Sequence, residues 1–163
     1  MNITDLLDSP VMYQKKLHLT RAVPKSAVAF TVDGNCMEGK QIFDKDSVLV
    51  ATDRMPRKED PCLCIVHGKP MFKVFHGTIS KGLYSVGTCY RWDGKGYRFN
   101  PDGTLTLNQG LFATEIGGVI IGAFDSEGEP RWLNDYKSYP EELPEPVQNP
   151  DSNVKIITNV RFV

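Results

Sequence analysis

The sequence has no long apolar run and no leader-like start. Nothing in it approaches the roughly 20 consecutive apolar residues that cross a bilayer as a helix. Met1-Asn2-Ile3-Thr4-Asp5 carries neither a cationic nor an apolar leader region. A soluble, cytoplasmic protein with no membrane association is the expectation. Nor is there an excess of charge of one sign: 19 basic against 20 acidic residues give a net charge of −1. A chain that coats nucleic acid shows a basic footprint, so no direct DNA binding is expected. Cysteine is sparse, with Cys36, Cys62, Cys64 and Cys89. Without a secretory signal these read as free thiols rather than a disulfide framework. No long 3.6-residue periodicity appears, and residues 1–26 have neither the length nor the helix count of a helix-turn-helix.

What is present is ordinary globular composition, 40% hydrophobic and 24% charged over 163 residues, enough for a single domain with a sizeable core. Residues 2–8 predict one or two helical turns, capped by Asn2 or Thr4 and ended by Pro10. Val11 to Thr20 alternates loosely. Strands are predicted at 27–32, 48–52, 62–66, 70–75, 83–86, 97–99, 104–107 and 119–124. His67-Gly68-Lys69, Asp93-Gly94 and Asp102-Gly103 supply turns between them. The charged run from Asp53 to Pro61 reads as a solvated loop. From residue 125 the character changes: Pro130, Pro140, Pro144, Pro146 and Pro150 exclude a helix or central strand. Val154 to Val163 then regains strand composition. The fold class is mainly β, of many short strands, with an arm at 1–26, a domain at 27–124 and a Pro-rich extension at 125–163.

The organising stretch is the apolar strand from Ala27 to Val32, which runs into Asp33-Gly34-Asn35-Cys36-Met37. A nucleophilic side chain follows a glycine-containing turn. Downstream, Phe72-Lys73-Val74-Phe75 sets one lysine in an apolar run. A thiol or hydroxyl is a weak nucleophile until a base takes its proton. A lysine serves as that base only where burial disfavours its ammonium form. Strand alternation would put Met71, Lys73 and Phe75 on one face. Pattern alone favours the simpler reading, that Lys73 is one polar position on a half-exposed strand.

Three motifs in order change that balance. Gly34-Asn35-Cys36-Met37, Ile42-Phe43-Asp44-Lys45-Asp46-Ser47-Val48-Leu49-Val50 and Phe72-Lys73-Val74 resemble the self-cleaving domain of LexA-type repressors and UmuD-type mutagenesis proteins, peptidase family S24. The spacing from Cys36 to Lys73 fits, and Gly117 to Phe124 resembles the closing strand. The resemblance spans about 27–124. It implies a LexA/signal-peptidase-like fold and a homodimer. It further implies a role in the SOS response, DNA damage or prophage regulation, through a RecA filament or a translesion polymerase. Catalytic residues would be Cys36 as nucleophile and Lys73 as general base, with the backbone N–H groups of Asn35 and Cys36 holding the oxyanion. No cofactor and no metal are implied.

Two departures stand out. Cys36 replaces the family's serine, and Lys45 stands where glycine is usual. Residues 1–33 contain no glycine, so the Ala-Gly or Cys-Gly bond of autoproteolysis is absent there. Two readings follow: a peptidase of the nucleophile–lysine type, or a non-catalytic interaction module of the same fold, such as a processed UmuD-like polymerase subunit. A third, a metal-binding β domain on Cys62, Cys64 and His67, lacks the usual Cys-x-x-Cys spacing.

Overall fold

The first helical turn already shows how sequence sets structure. Asn2 caps α1 (Ile3–Leu7): its side chain accepts from the Asp5 N–H at 2.8 Å, and the Asp5 carboxylate accepts from the Asn2 N–H, a reciprocal capping box. Leu6 from this turn is fully buried. The structure, a computed structural model, describes residues 2–8, 15–21, 23–34, 37–88, 91–92, 96–97, 111–133, 153–154 and 156–157. Expectations for Asn35, Cys36, Cys89, the strand at 104–107 and the proline-rich stretch 134–152 fall outside them.

The remaining elements are strands apart from a 3-10 turn at Glu38–Lys40: β1 (Lys15–Lys16), β2 (Ala27–Thr31), β3 (Ser47–Ala51), β4 (Pro61–Val66), β5 (Lys69–Ser80), β6 (Leu83–Gly87), β7 (Arg91–Trp92), β8 (Gly96–Tyr97), β9 (Phe112–Ala113), β10 (Glu115–Phe124), β11 (Pro130–Trp132), β12 (Asn153–Val154) and β13 (Ile156–Ile157). The chain is therefore mainly β. Its main sheet runs β13-β2-β3-β10-β4-β5-β6-β9, with β11 also on β10. Pairing is antiparallel except between β13 and β2. No helix among the described residues is long and apolar enough to cross a membrane.

Alternation explains the layering. Val48 and Val50 of β3, Leu63 of β4, and Phe72 and Val74 of β5 join Leu6, Phe30, Met37 and Ile42 in one buried cluster. Leu49 and Ala51 turn to the reverse face, where they meet Leu17, Leu19, Val23 and Phe124. Cys62, Cys64 and Phe75 occupy that reverse face further along, with Val86. Each large side chain so buried contributes on the order of 2 kcal/mol. β10 serves both faces and is buried from Gly117 to Phe124.

Two glycines set this strand's contacts. A Cβ on Gly117 would lie 2.7 Å from Ile3 Cδ1, so the missing side chain is what lets α1 rest on β10. Gly118 sits at φ +141 beside a register shift against β4. The β4–β5 hairpin closes through His67 and Gly68, both at positive φ, the backbone a tight two-residue hairpin turn requires.

Three expectations need correction. β5 continues past Phe75 to Ser80, with register shifts at Phe75/Gly77 and Thr78/Ser80. The charged run is not wholly solvated: Asp60 is buried, and the Arg54 side chain is only 8% exposed. Asp60 accepts from the Arg57 N–H at 2.7 Å, which closes the loop on itself. Pro130 heads a short strand after all. β11 pairs with β10 alone, the kind of edge position proline tolerates.

Candidate functional site

β2 ends at Thr31, and the next three residues are pinned by the segment that precedes β3. Val32 donates its N–H to the Asp46 carbonyl at 2.8 Å, and Lys45 donates to the Val32 carbonyl at 2.9 Å. The Gly34 N–H donates to Asp44 Oδ1 at 2.8 Å, and Lys45 Nζ reaches Asp33 Oδ1 at 2.7 Å. Gly34 adopts φ +109, which a residue with a Cβ rarely reaches. The approach to the candidate nucleophile is thus a braced turn. Lys45 itself adopts φ +70. The backbone here has the left-handed conformation that favours glycine, and a lysine holds it while forming an exposed ion pair.

On the far side of the turn, Met37 is buried, and its carbonyl accepts from Lys40 at 2.9 Å and Ile42 at 3.4 Å. The Asp46 carboxylate accepts from the Phe43 N–H at 2.8 Å and from the Arg131 guanidinium. Arg131 also donates to the Gln41 carbonyl at 3.2 Å and lies over the Phe43 ring at 5.0 Å. One side chain from β11 therefore holds the segment 41–46 at three points. Burial pushes the Asp46 carboxyl up, against the lowering influence of the Phe43 N–H and Arg131. Sequence reasoning singled out Asp46 only as part of a motif and passed over Arg131, because nothing local marks two residues so far apart in sequence as partners.

Lys73 lies within β5 and is 5% exposed. Its neighbours Phe72 and Val74 pack in one cluster with Met37. The Lys73 Cα pairs with that of Cys62, and Met71 with Cys64. Cross-strand partners share a face, so Lys73 belongs with Cys62, Cys64 and Phe75, opposite the face on which Met37 packs. Cys62 and Cys64 are fully buried free thiols. The Cys64 thiol donates to the Met71 carbonyl at 3.5 Å. Its hydrogen bond with Cys64, then complete burial, holds the Cys62 thiol well above the ordinary range. Asn35 and Cys36 lie outside the described residues.

His76 is half-buried on β5. Its Nδ1 lies 3.9 Å from Glu59 Oε1, and its Nε2 is buried with no hydrogen-bond partner among the described residues. Burial lowers its pKa. His18 and His67 are exposed. Among the described residues no three His, Cys, Asp or Glu side chains cluster as a metal site would require.

Compared with protein-family models, with curated proteins and with solved structures, the chain matches none.

Proposed function

We propose that the chain is an S24-type, LexA/UmuD-like peptidase-fold protein in which Cys36 is the nucleophile and Lys73 the general base. One observation supports this reading: a lysine is buried in the interior of a core strand, on the face away from the cluster that holds Met37, the residue after Cys36. The glycine-type backbone at Lys45 adds support, since it is the conformation the family's usual glycine would serve.

In this scheme the Cys36 thiol gives its proton to Lys73 Nζ as its sulfur attacks a backbone carbonyl carbon. The N–H groups of Asn35 and Cys36 hold the oxyanion. The C–N bond breaks, the Lys73 ammonium returns the proton to the leaving amine, and a thioester remains. Water then attacks the thioester, its proton passing through Lys73 back to the departing sulfur. By the same resemblance the setting is SOS or prophage-type regulation, with a homodimer and a RecA filament or translesion polymerase as partners.

Cysteine in place of serine favours a second reading, an interaction module on the same fold. Alkylation of Cys36 against pH, read by peptide mass in wild type and Lys73→Ala, separates the two. The peptidase reading expects Cys36 to react well below the ordinary thiol pKa of about 8.5, and Lys73→Ala to abolish that. A Cys36 that reacts as an ordinary or shielded thiol, indifferent to Lys73, overturns the catalytic reading and leaves the interaction module.

A further inference from the structure

Two side chains with acid–base chemistry lie in the interior of β5, on opposite faces. Lys73 pairs with Cys62 and shares the face that holds Cys64 and Phe75. Phe72 and Val74 of the other face pack with Met37, and strand alternation continues that face to His76. A register shift between Phe75 and Gly77 marks a bulge at this histidine, a device that re-aims a side chain. Lys40 gives the same side independently. It ends the 3-10 turn that follows Met37, and its charge acts on His76.

His76 is held as a base would be. The Glu59 N–H donates to the Phe75 carbonyl at 2.8 Å, and the Phe75 N–H donates to the Asp60 carbonyl at 2.9 Å. These bonds seat Glu59 beside the bulge, at a left-handed φ of +73. Its carboxylate lies 3.9 Å from His76 Nδ1. His76 Nε2 is buried and has no hydrogen-bond partner among the described residues. A carboxylate at one ring nitrogen, with the other nitrogen open, is how an imidazole is oriented to activate a nucleophile. Gly77 leaves room for Lys58, whose Cε would lie 3.4 Å from a Cβ there. Burial, helped by the charges of Lys40 and Lys58, keeps the imidazole unprotonated at pH 7 against the pull of Glu59.

From this placement we infer that His76 is a further catalytic residue of the proposed reaction, its Nε2 accepting the Cys36 proton while Glu59 orients the ring through Nδ1. As the sulfur attacks the carbonyl carbon, the S–H proton passes to Nε2. The C–N bond then breaks and the imidazolium gives that proton to the leaving amine. Water attacks the resulting thioester and loses a proton to Nε2, which passes to the departing sulfur. Cysteine in place of serine is what makes this base sufficient, since a thiol ionises at about 8.5 and an imidazole can take its proton. The inference rests on the reading of Cys36 as nucleophile. It adds a base on the Met37 side of β5 to the lysine on the other, and so offers a second route for the same proton.

The test measures the rate of Cys36 alkylation against pH, by peptide mass, in wild type, His76→Gln, Glu59→Gln and Lys73→Ala. Wild type judges the underlying reading first: a Cys36 that ionises as an ordinary thiol, at about 8.5, overturns that reading and this inference together. With Cys36 reactive at lower pH, His76→Gln should carry the midpoint to about 8.5 and lower the rate at pH 7 on the order of 30-fold. Glu59→Gln should move the profile the same way by less. An unchanged profile in His76→Gln overturns the inference, and if Lys73→Ala alone moves it, the lysine reading stands by itself. Cys62 and Cys64 report on folding in the same digests, since both are fully buried. If His76→Gln exposes them, Glu59→Gln decides, and an unchanged profile there overturns the inference.

Discussion

Asp46 and Arg131 form an ion pair that joins β11 to the segment after Met37, with side chains 8% and 30% exposed. A carboxylate this deep is disfavoured by desolvation and depends on its partner. Arg131→Met is expected to destabilise the fold by about 2–3 kcal/mol and to raise the Asp46 pKa further, read by carboxyl NMR titration. Asp46→Asn isolates the charge. The folded pKa lies above the ordinary 3.8, so just above that pH the folded chain holds more protons than the unfolded one. Stability from this group therefore falls as pH rises through the window. Urea midpoints of wild type and Asp46→Asn should diverge in favour of the variant as pH rises from 3.8, then run parallel once Asp46 is fully ionised. Parallel midpoints throughout would show that Asp46 titrates normally.

His76 has the opposite dependence. Burial lowers its folded pKa below 6.5. Between that lower value and 6.5 the unfolded chain binds more protons, so stability is full above 6.5 and is lost as pH falls through the window. The urea midpoint should drop between pH 7 and pH 5 in wild type by more than in His76→Gln. Equal drops in the two proteins would place the effect elsewhere.

Much of the fold is legible where local and tertiary preferences agree. β2, β3 and the β4–β5 hairpin follow from alternation and from His67-Gly68, and Asn2 marks its helix. β11 was not singled out because Pro130 excludes a helix or a central strand, and its edge position is what makes that proline tolerable. Arg54 and Asp60 were hidden because charge predicts solvent, whereas loop closure buries them. At the site, pattern alone favours a half-exposed strand for Lys73, whereas β5 lies between β4 and β6 and the residue is buried. Nothing local reveals that Arg131 braces the segment before β3, since that contact spans 85 residues of sequence.

Gly118 is a position where substitution meets two obstacles. Its φ of +141 strains any residue with a side chain, and an added Cβ would overlap the Ala51 carbonyl oxygen. Gly118→Ala should cost on the order of 3 kcal/mol, read as a lowered urea midpoint. Gly68→Ala, at φ +74 in open space, meets only the backbone strain and should cost about 1 kcal/mol. Equal costs at the two sites would mean that β10 shifts to accommodate the methyl group.

Cys62 and Cys64 should be silent to alkylating reagents in the native protein at pH 8. Both are fully buried, and the Cys62 thiol is held protonated by Cys64 and by its surroundings. Modification should appear only on addition of denaturant, at the rate of unfolding. Rapid native labelling of either thiol would show that β4 opens locally.

Lys73→Met distinguishes a lysine kept for chemistry from one kept for structure. Methionine retains the length and the apolar stem while removing the ammonium group from a site only 5% exposed. If Lys73 is held there for its base, the fold gains nothing from its charge. Stability should then stay within about 1.5 kcal/mol of wild type or rise, while reactivity of Cys36 below the ordinary thiol pKa disappears. If the ammonium group instead anchors a buried ionic contact, the same change should cost about 3 kcal/mol or more and leave the Cys36 pH profile unmoved. Urea midpoints and the alkylation profile, measured on one preparation of each protein, decide between the two.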